Sequence, residues 1–281
     1  MGCRLAYFHH RLIGIILPLT HLTILALIQG LTEFLPISSS GHLIIFPKLL
    51  DWQDQGITID VAVHAGSLLA VLIFLWRDIG RILSELSHLA RSGRSSAPPL
   101  LYLLLIASFP LMLVGFLVST VMQDLTRSIE VIGWATILFG VLLGFSDRMG
   151  MTLNRFQHMK YFDAFLIGLA QILALIPGAS RAGVTITAAR FLGYERASAA
   201  RFSLLLAIPA ILGASVLKGL DIFFSDNVNL GIDFLIAASI SFCAALTSIS
   251  IMMKWLNRAG FMPFVVYRII MGALLLAWVY L

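Results

Sequence analysis

Charge is scarce in this sequence. Lys, Arg, Asp and Glu make up 12% of its 281 residues while 59% are hydrophobic, a balance that excludes an ordinary soluble domain, where the charged share runs near a quarter. The mean hydropathy of +0.97 agrees, and the chain reads as an integral membrane protein. Cysteine is nearly absent: Cys3 and Cys243 stand at opposite ends of the chain, which rules out a disulfide framework and a cysteine-spaced metal site. The net charge of +5 comes from arginines clustered between apolar runs. The aromatic-interleaved basic face of a nucleic-acid binder is therefore missing, and no nucleic-acid partner is expected. The start of the chain lacks an uninterrupted apolar run, because Leu5 to Thr20 is broken by His9, His10 and Arg11 and falls short of a span. No apolar signal-type stretch precedes Cys3, and Ala6 stands where a myristoylation signal needs a hydroxyl. Residues 1–19 are read as an N-terminal extension without an assigned role.

Long apolar runs, by contrast, are plentiful. Six read as full membrane helices, at about 61–76, 100–121, 129–145, 201–218, 232–253 and 263–281, each near the length that crosses a hydrocarbon core. Their connections orient the chain. Arg77, Arg81, Arg91 and Arg94 fall in one loop, Arg148, Arg155 and Lys160 in a second, Arg190 and Arg196 in a third, and Lys254 with Arg258 in a fourth; the positive-inside rule makes all four cytoplasmic. The links at 48–60, with Asp51, Asp54 and Asp60 against Lys48, and at 219–231, with Asp221 and Asp226, then face outward.

Threading six spans through these loops leaves 20–50 starting and ending outside and 161–189 starting and ending inside. Each must enter the bilayer and return. Each also carries a polar run broken at a proline: QGLTEFLPISSSGH from Gln29 to His42, with Pro36, and PGASRAG from Pro177 to Gly183. Proline removes a backbone donor and disfavours helix at the residue before it, while the Ser and Gly that follow can start a new helix, so both segments read as re-entrant helical hairpins. The halves echo one another. Gln29, Pro36, Ser39 and Ser67 match Gln171, Pro177, Ser180 and Ser203 at offsets of 142, 141, 141 and 136 residues. The expected fold is an all-α polytopic membrane protein with six transmembrane helices plus two re-entrant hairpins in an inverted-topology repeat. It forms one membrane domain, 20–281, with repeats at about 20–147 and 160–281.

Polar groups at that depth mark a site, since a bilayer offers no water to satisfy them. Gln29 and Glu33, four apart, share a helix face; near Arg181 or a divalent cation Glu33 stays ionised and serves as metal ligand or orienter. Its plainer role is a hydrogen bond in a helix contact. Among Ser38, Ser39 and Ser40 one caps the following helix, and the hydroxyls together with the freed amides suit a phosphate. His42 can take a proton from a hydroxyl or water, or attack phosphorus; alone it would read as a core histidine. Ser180 caps the second helix and Arg181 offers a planar fork to phosphate oxygens or pairs with Glu33. Thr185, Thr187 and Arg190 are read as packing and positive-inside signal. For His64, Ser67, Arg201 and Arg268, packing weighs as much as function, and His88 and His158 are read as solvated.

These strings, with FLWRDI at Trp76 and MPFVVYR ending at Arg268, closely resemble the bacterial undecaprenyl-diphosphatase, or bacitracin-resistance, family from about residue 20 to the C-terminus. The resemblance implies hydrolysis of undecaprenyl diphosphate to undecaprenyl phosphate and inorganic phosphate, renewing the lipid carrier of peptidoglycan synthesis. It implies a divalent cation, Mg2+ or Ca2+, and a multi-pass inner-membrane protein whose site opens to the periplasmic side. The partners are the lipid substrate and the bilayer, with a homodimer left open. Carried over by position, His42, Glu33 and Ser39 are catalytic; Arg181, Ser180, Ser38, Ser40 and Gly178 bind substrate; and Glu33 and Gln29 hold the metal. Many members have Glu where this chain has Gln29, a weaker ligand that shifts metal binding toward Glu33. Of the nucleophile readings, a hydroxyl or water activated by His42 is favoured over His42 itself. Ser39 is the preferred hydroxyl because Ser180 is taken as its counterpart. The rivals are a transporter or flippase of prenyl phosphates, suggested by the repeat, and a lipid-binding structural protein in which His42 would be dispensable.

Overall fold

A computed structural model describes residues 18–52, 55–92, 99–118, 128–149, 154–224 and 231–281. Residues 1–17 of the expected N-terminal extension fall outside this set, as do Asp54, Arg94 and Asp226 of the topology argument. The side chains of His88, Arg91 and Asp221 also lie outside it.

The regular elements among the described residues are helical. They are α1 (Leu19–Thr32), α2 (Ser39–Leu49), α3 (Gly56–Phe74), α4 (Trp76–Ser92), α5 (Leu100–Val118), α6 (Ile129–Met149), α7 (Tyr161–Gln171), α8 (Arg181–Phe191), α9 (Arg196–Phe224), α10 (Ile232–Leu256) and α11 (Met262–Tyr280). Helices α3, α5, α6, α9, α10 and α11 are long and apolar enough to cross a membrane, and the chain is a polytopic membrane protein. Helix α9 begins five residues before the apolar window because its charged first turns are paired: Arg196 bonds to Asp147 and Arg201 to Asp78.

The two polar segments are helix pairs too short to cross. Helices α2 and α8 each have 11 residues, roughly 16 Å of rise against a hydrocarbon core of about 30 Å. Between α1 and α2 the chain turns through Pro36, and between α7 and α8 it makes a 3-10 turn at Ile172–Leu175 and then bends at Pro177. The helix contacts come in exchanged pairs. Helix α1 packs on α10 as α7 packs on α5, α3 packs on α10 as α9 packs on α5, and α6 packs on α11. A two-fold relation between the halves requires that pattern.

Three local expectations change. Arg77 and Arg81 lie on α4, an amphipathic helix with Trp76, Leu83 and Leu86 exposed, where a loop was expected; its strong apolar stripe suits a membrane surface. Arg190 is 1% exposed and no loop cation: it lies 3.4 Å from Asp147, which Arg196 also holds at 2.6 Å. The same carboxylate accepts the Phe261 amide, so one buried acid joins the ends of α6, α8, α9 and α11. Arg201 likewise pairs with buried Asp78 and lies over the Phe156 ring. These are scaffold pairs, as are the buried Ser67–Ser241 contact and the Thr185 hydroxyl on Ser203.

Candidate active site

The two hairpin turns are built alike. Ser38 and Ser180 precede α2 and α8 with φ of 75° and 68°, in the left-handed region that costs a non-glycine residue roughly 1–3 kcal/mol. Each side chain accepts the amide three residues on, Gly41 at 3.4 Å and Gly183 at 3.1 Å, which is an N-cap. This corrects the register of the repeat. Ser38 is the counterpart of Ser180, and Ser39 occupies the place of Arg181. The positive-φ cap marks the register, and a string comparison does not reveal it.

Glu33 is the hub where both hairpins meet. Its Oε2 accepts from Ser39 Oγ at 2.6 Å and from Gln29 Nε2 at 3.0 Å, and its Oε1 lies 3.4 Å from Arg181 Nη2. Arg181 places its other arm on the Ser203 carbonyl at 3.1 Å. One carboxylate thus collects donors from both hairpins, from Ser39 and Gln29 on the first and Arg181 on the second. Ser40 touches Ser38 Oγ at 3.3 Å and is exposed.

His42 stands apart from this group. Its ring nitrogens face the Ser38 carbonyl and the Tyr267 hydroxyl, each at 2.6 Å. The Ser39 hydroxyl is thus directed at Glu33, and the expected Ser39–His42 pairing is replaced by Ser39–Glu33. One α-helical turn explains this: Ser39 starts the helix and looks back into the turn, while His42 bonds within it to the residue four before.

Arg268 organises both turns. The residue is fully buried on α11 and gives Nη1 to Pro36 O, Nη2 to Gly178 O and Ala179 O, and Nε to Thr136 O, at 2.9–3.1 Å. Pro36 and Gly178 belong to opposite hairpins, so a single guanidinium holds the two breaks together by satisfying carbonyls that the broken helices leave open. Two glycines of PGASRAG follow from this. A Cβ on Gly183 would meet Arg268 Nη1 at 2.7 Å, and Gly178 has φ +91° with Ile132 O 2.6 Å from its would-be Cβ. The sequence weighs packing and function equally for Arg268 and gives Tyr267 no role of its own; an arginine and a tyrosine inside an apolar span are the signal available.

Metal-binding capacity is modest. Among the described residues no group of three or more His, Cys, Asp and Glu is poised for an ion. Gln29 Oε1, however, is buried without a hydrogen-bond partner while the same amide touches Glu33. A carboxylate beside an orphaned amide oxygen fits a hard divalent cation whose remaining ligands come from phosphate and water. The arrangement as a whole offers a hydroxyl hydrogen-bonded to a carboxylate, an arginine from the opposite hairpin, and two helix N-termini, which together suit phosphoryl chemistry.

The sequence profile described as bacitracin resistance protein BacA matches residues 22–274. Curated relatives of similar length align over almost all of both chains. An undecaprenyl-diphosphatase from Roseobacter denitrificans is 45% identical over 264 residues, 93% of this chain and 99% of the relative. One from Jannaschia sp. is 46% identical over 262 residues, 92% and 98%. Undecaprenyl-diphosphatase 1 from Rhodospirillum rubrum is 46% identical over 270 residues, 94% and 96%.

Proposed function

The chain belongs to the bacitracin resistance protein BacA family, and we propose on that premise that it hydrolyses undecaprenyl diphosphate to undecaprenyl phosphate and inorganic phosphate. The activity renews the lipid carrier for peptidoglycan synthesis and accounts for bacitracin resistance by consuming the drug's lipid target. The relatives carry a diphosphatase name, and the transporter reading gains nothing from them. The family resemblance implies that the protein resides in the bacterial inner membrane with its site open to the periplasm.

The observation that carries the mechanism is the 2.6 Å hydrogen bond from Ser39 to Glu33. The prenyl chain lies in the bilayer and the diphosphate enters between the hairpins, where Arg181 turns toward its oxygens. Ser39 Oγ attacks the terminal phosphorus while Glu33 takes the hydroxyl proton. An O–P bond forms at Ser39, and the bond to the bridging oxygen breaks, releasing undecaprenyl phosphate. Water then attacks the same phosphorus and the Oγ–P bond breaks; Ser39 Oγ takes back the proton held by Glu33, and the proton lost by the water passes toward His42. The amides at the starts of α2 and α8, with Ser38, Ser40, Ser180 and Gly178 around them, receive the phosphoryl oxygens. A divalent cation, Mg2+ or Ca2+, would be held by Glu33 and Gln29 and would supply positive charge to those oxygens.

The test is phosphate release from undecaprenyl diphosphate by the purified protein in detergent with Mg2+ or Ca2+. Turnover that collapses in Ser39→Ala and Arg181→Ala is expected. No turnover, or turnover unchanged in both variants, overturns the reading.

A further inference from the structure

The contact between His42 and Tyr267 joins α2 to α11 across 225 residues of sequence, and the chemistry above does not use it. His42 Nδ1 lies 2.6 Å from the Ser38 carbonyl oxygen. A carbonyl oxygen only accepts, so Nδ1 carries a hydrogen and the neutral ring keeps its lone pair on Nε2. That nitrogen is 2.6 Å from Tyr267 Oη, so the phenol donates to it. The rings are nearly parallel, 10° apart with centroids at 5.8 Å. His42 is 5% exposed and Tyr267 43%, so the tyrosine reaches from the outer face of α11 to a buried imidazole. Its neighbour Arg268 makes the contacts to both hairpin turns, which fixes α11 at this point and leaves Tyr267 little freedom to move away.

We propose that Tyr267 is a positioning residue for His42, which holds the imidazole plane and keeps Nε2 aligned for proton transfer in the hydrolysis. A hydroxyl both donates and accepts. With Nε2 unprotonated the phenol donates to it; when the phenol passes that hydrogen to Nε2 and takes another from the water or hydroxyl on its exposed side, the ring donates to Oη and the new phenol hydrogen points outward. The contact therefore survives either state of the imidazole and holds its plane through the transfer. A phenylalanine keeps the ring and loses both directions of the bond. This inference rests on the reading that His42 exchanges a proton during turnover.

A double-mutant cycle separates the two. Kinetics of undecaprenyl diphosphate hydrolysis and thermal midpoints are measured for the intact protein, Tyr267→Phe, His42→Ala and the double variant. Tyr267→Phe is expected to lower kcat by about 10- to 100-fold with KM changed by less than about twofold, a share of what a full acid–base group contributes. The double variant should be no less active than His42→Ala, because the tyrosine acts only through the imidazole. If His42→Ala is impaired while Tyr267→Phe keeps kcat within about twofold, or if the two losses multiply, the proposal falls and the role of His42 stands. A lowered thermal midpoint that accounts for the lost activity of Tyr267→Phe would make the tyrosine scaffold and also overturns the proposal. Full activity in His42→Ala removes the premise itself.

Discussion

Glu33 and Arg181, 148 residues apart in the chain, face one another at 3.4 Å with side chains only 9% and 13% exposed. One comes from each hairpin, so the ion pair is the point where the two halves of the protein share a charge. Taking two charges out of water is costly and this pair is long, so its contribution to stability is small or negative. In the proposed reaction it keeps a cation ready for an anion that displaces Glu33 from it.

Arg181→Lys keeps the charge and loses the planar fork. We expect kcat/KM to fall by about 100-fold, roughly 2.7 kcal/mol of transition-state binding, with the thermal midpoint little changed. Phosphate-release kinetics and a melting curve on the same preparation check this.

Ser39→Ala and Glu33→Gln remove the two ends of one hydrogen bond. Each should cost on the order of 10²–10⁴-fold in kcat, and the double variant little more than the worse single one. Incubation with substrate labelled in its terminal phosphate should mark the intact protein at Ser39; a label on His42 would contradict the assignment.

Gln29→Glu places a second carboxylate at a side chain whose amide nitrogen now bonds to Glu33 and whose oxygen is buried without a hydrogen-bond partner. The half-saturating concentration of Mg2+ or Ca2+ should drop several-fold, as ligand charge governs affinity for hard cations. Gln29→Leu should raise it. A metal titration of phosphate release after chelator treatment reads both.

Arg268→Met retains bulk and removes the donors from four buried carbonyls. At about 1–3 kcal/mol per unsatisfied group, only part of which relaxation recovers, the thermal midpoint should fall clearly and activity with it. Retention of full activity would mean the turns hold their positions unaided.

Asp147→Asn serves as the scaffold control. It removes the carboxylate charge that buried Arg190 shares with Arg196, and breaking a buried pair costs about 3–5 kcal/mol. The protein should melt earlier while KM for the lipid stays the same, since Asp147 is remote from both turns.

Much of this architecture was legible residue by residue. Six spans follow from apolar length, and the hairpins from Pro36 and Pro177 inside segments with nowhere to emerge. Helix α4 is hidden in the sequence because arginines between two apolar spans read as topology, while Arg77 and Arg81 in fact lie on one helix with Trp76, Leu83 and Leu86 exposed. The Ser38–Ser180 equivalence escaped because the three serines are alike as letters, and only the backbone conformation separates the cap from its neighbour. Tyr267 escaped because a tyrosine in an apolar helix is an ordinary interface residue until its hydroxyl is seen against an imidazole.

Local composition by itself determined the solvent of this chain, its number of crossings and where its helices break, because hydropathy and proline act over a few residues at a time. Only the tertiary structure decided who meets whom: Ser39 with Glu33 instead of His42, His42 with Tyr267, and Arg268 with turns 90 and 232 residues away. Those pairings depend on how α11 and the two hairpins pack, and packing is set by the shape of the whole bundle, which no short stretch of sequence contains.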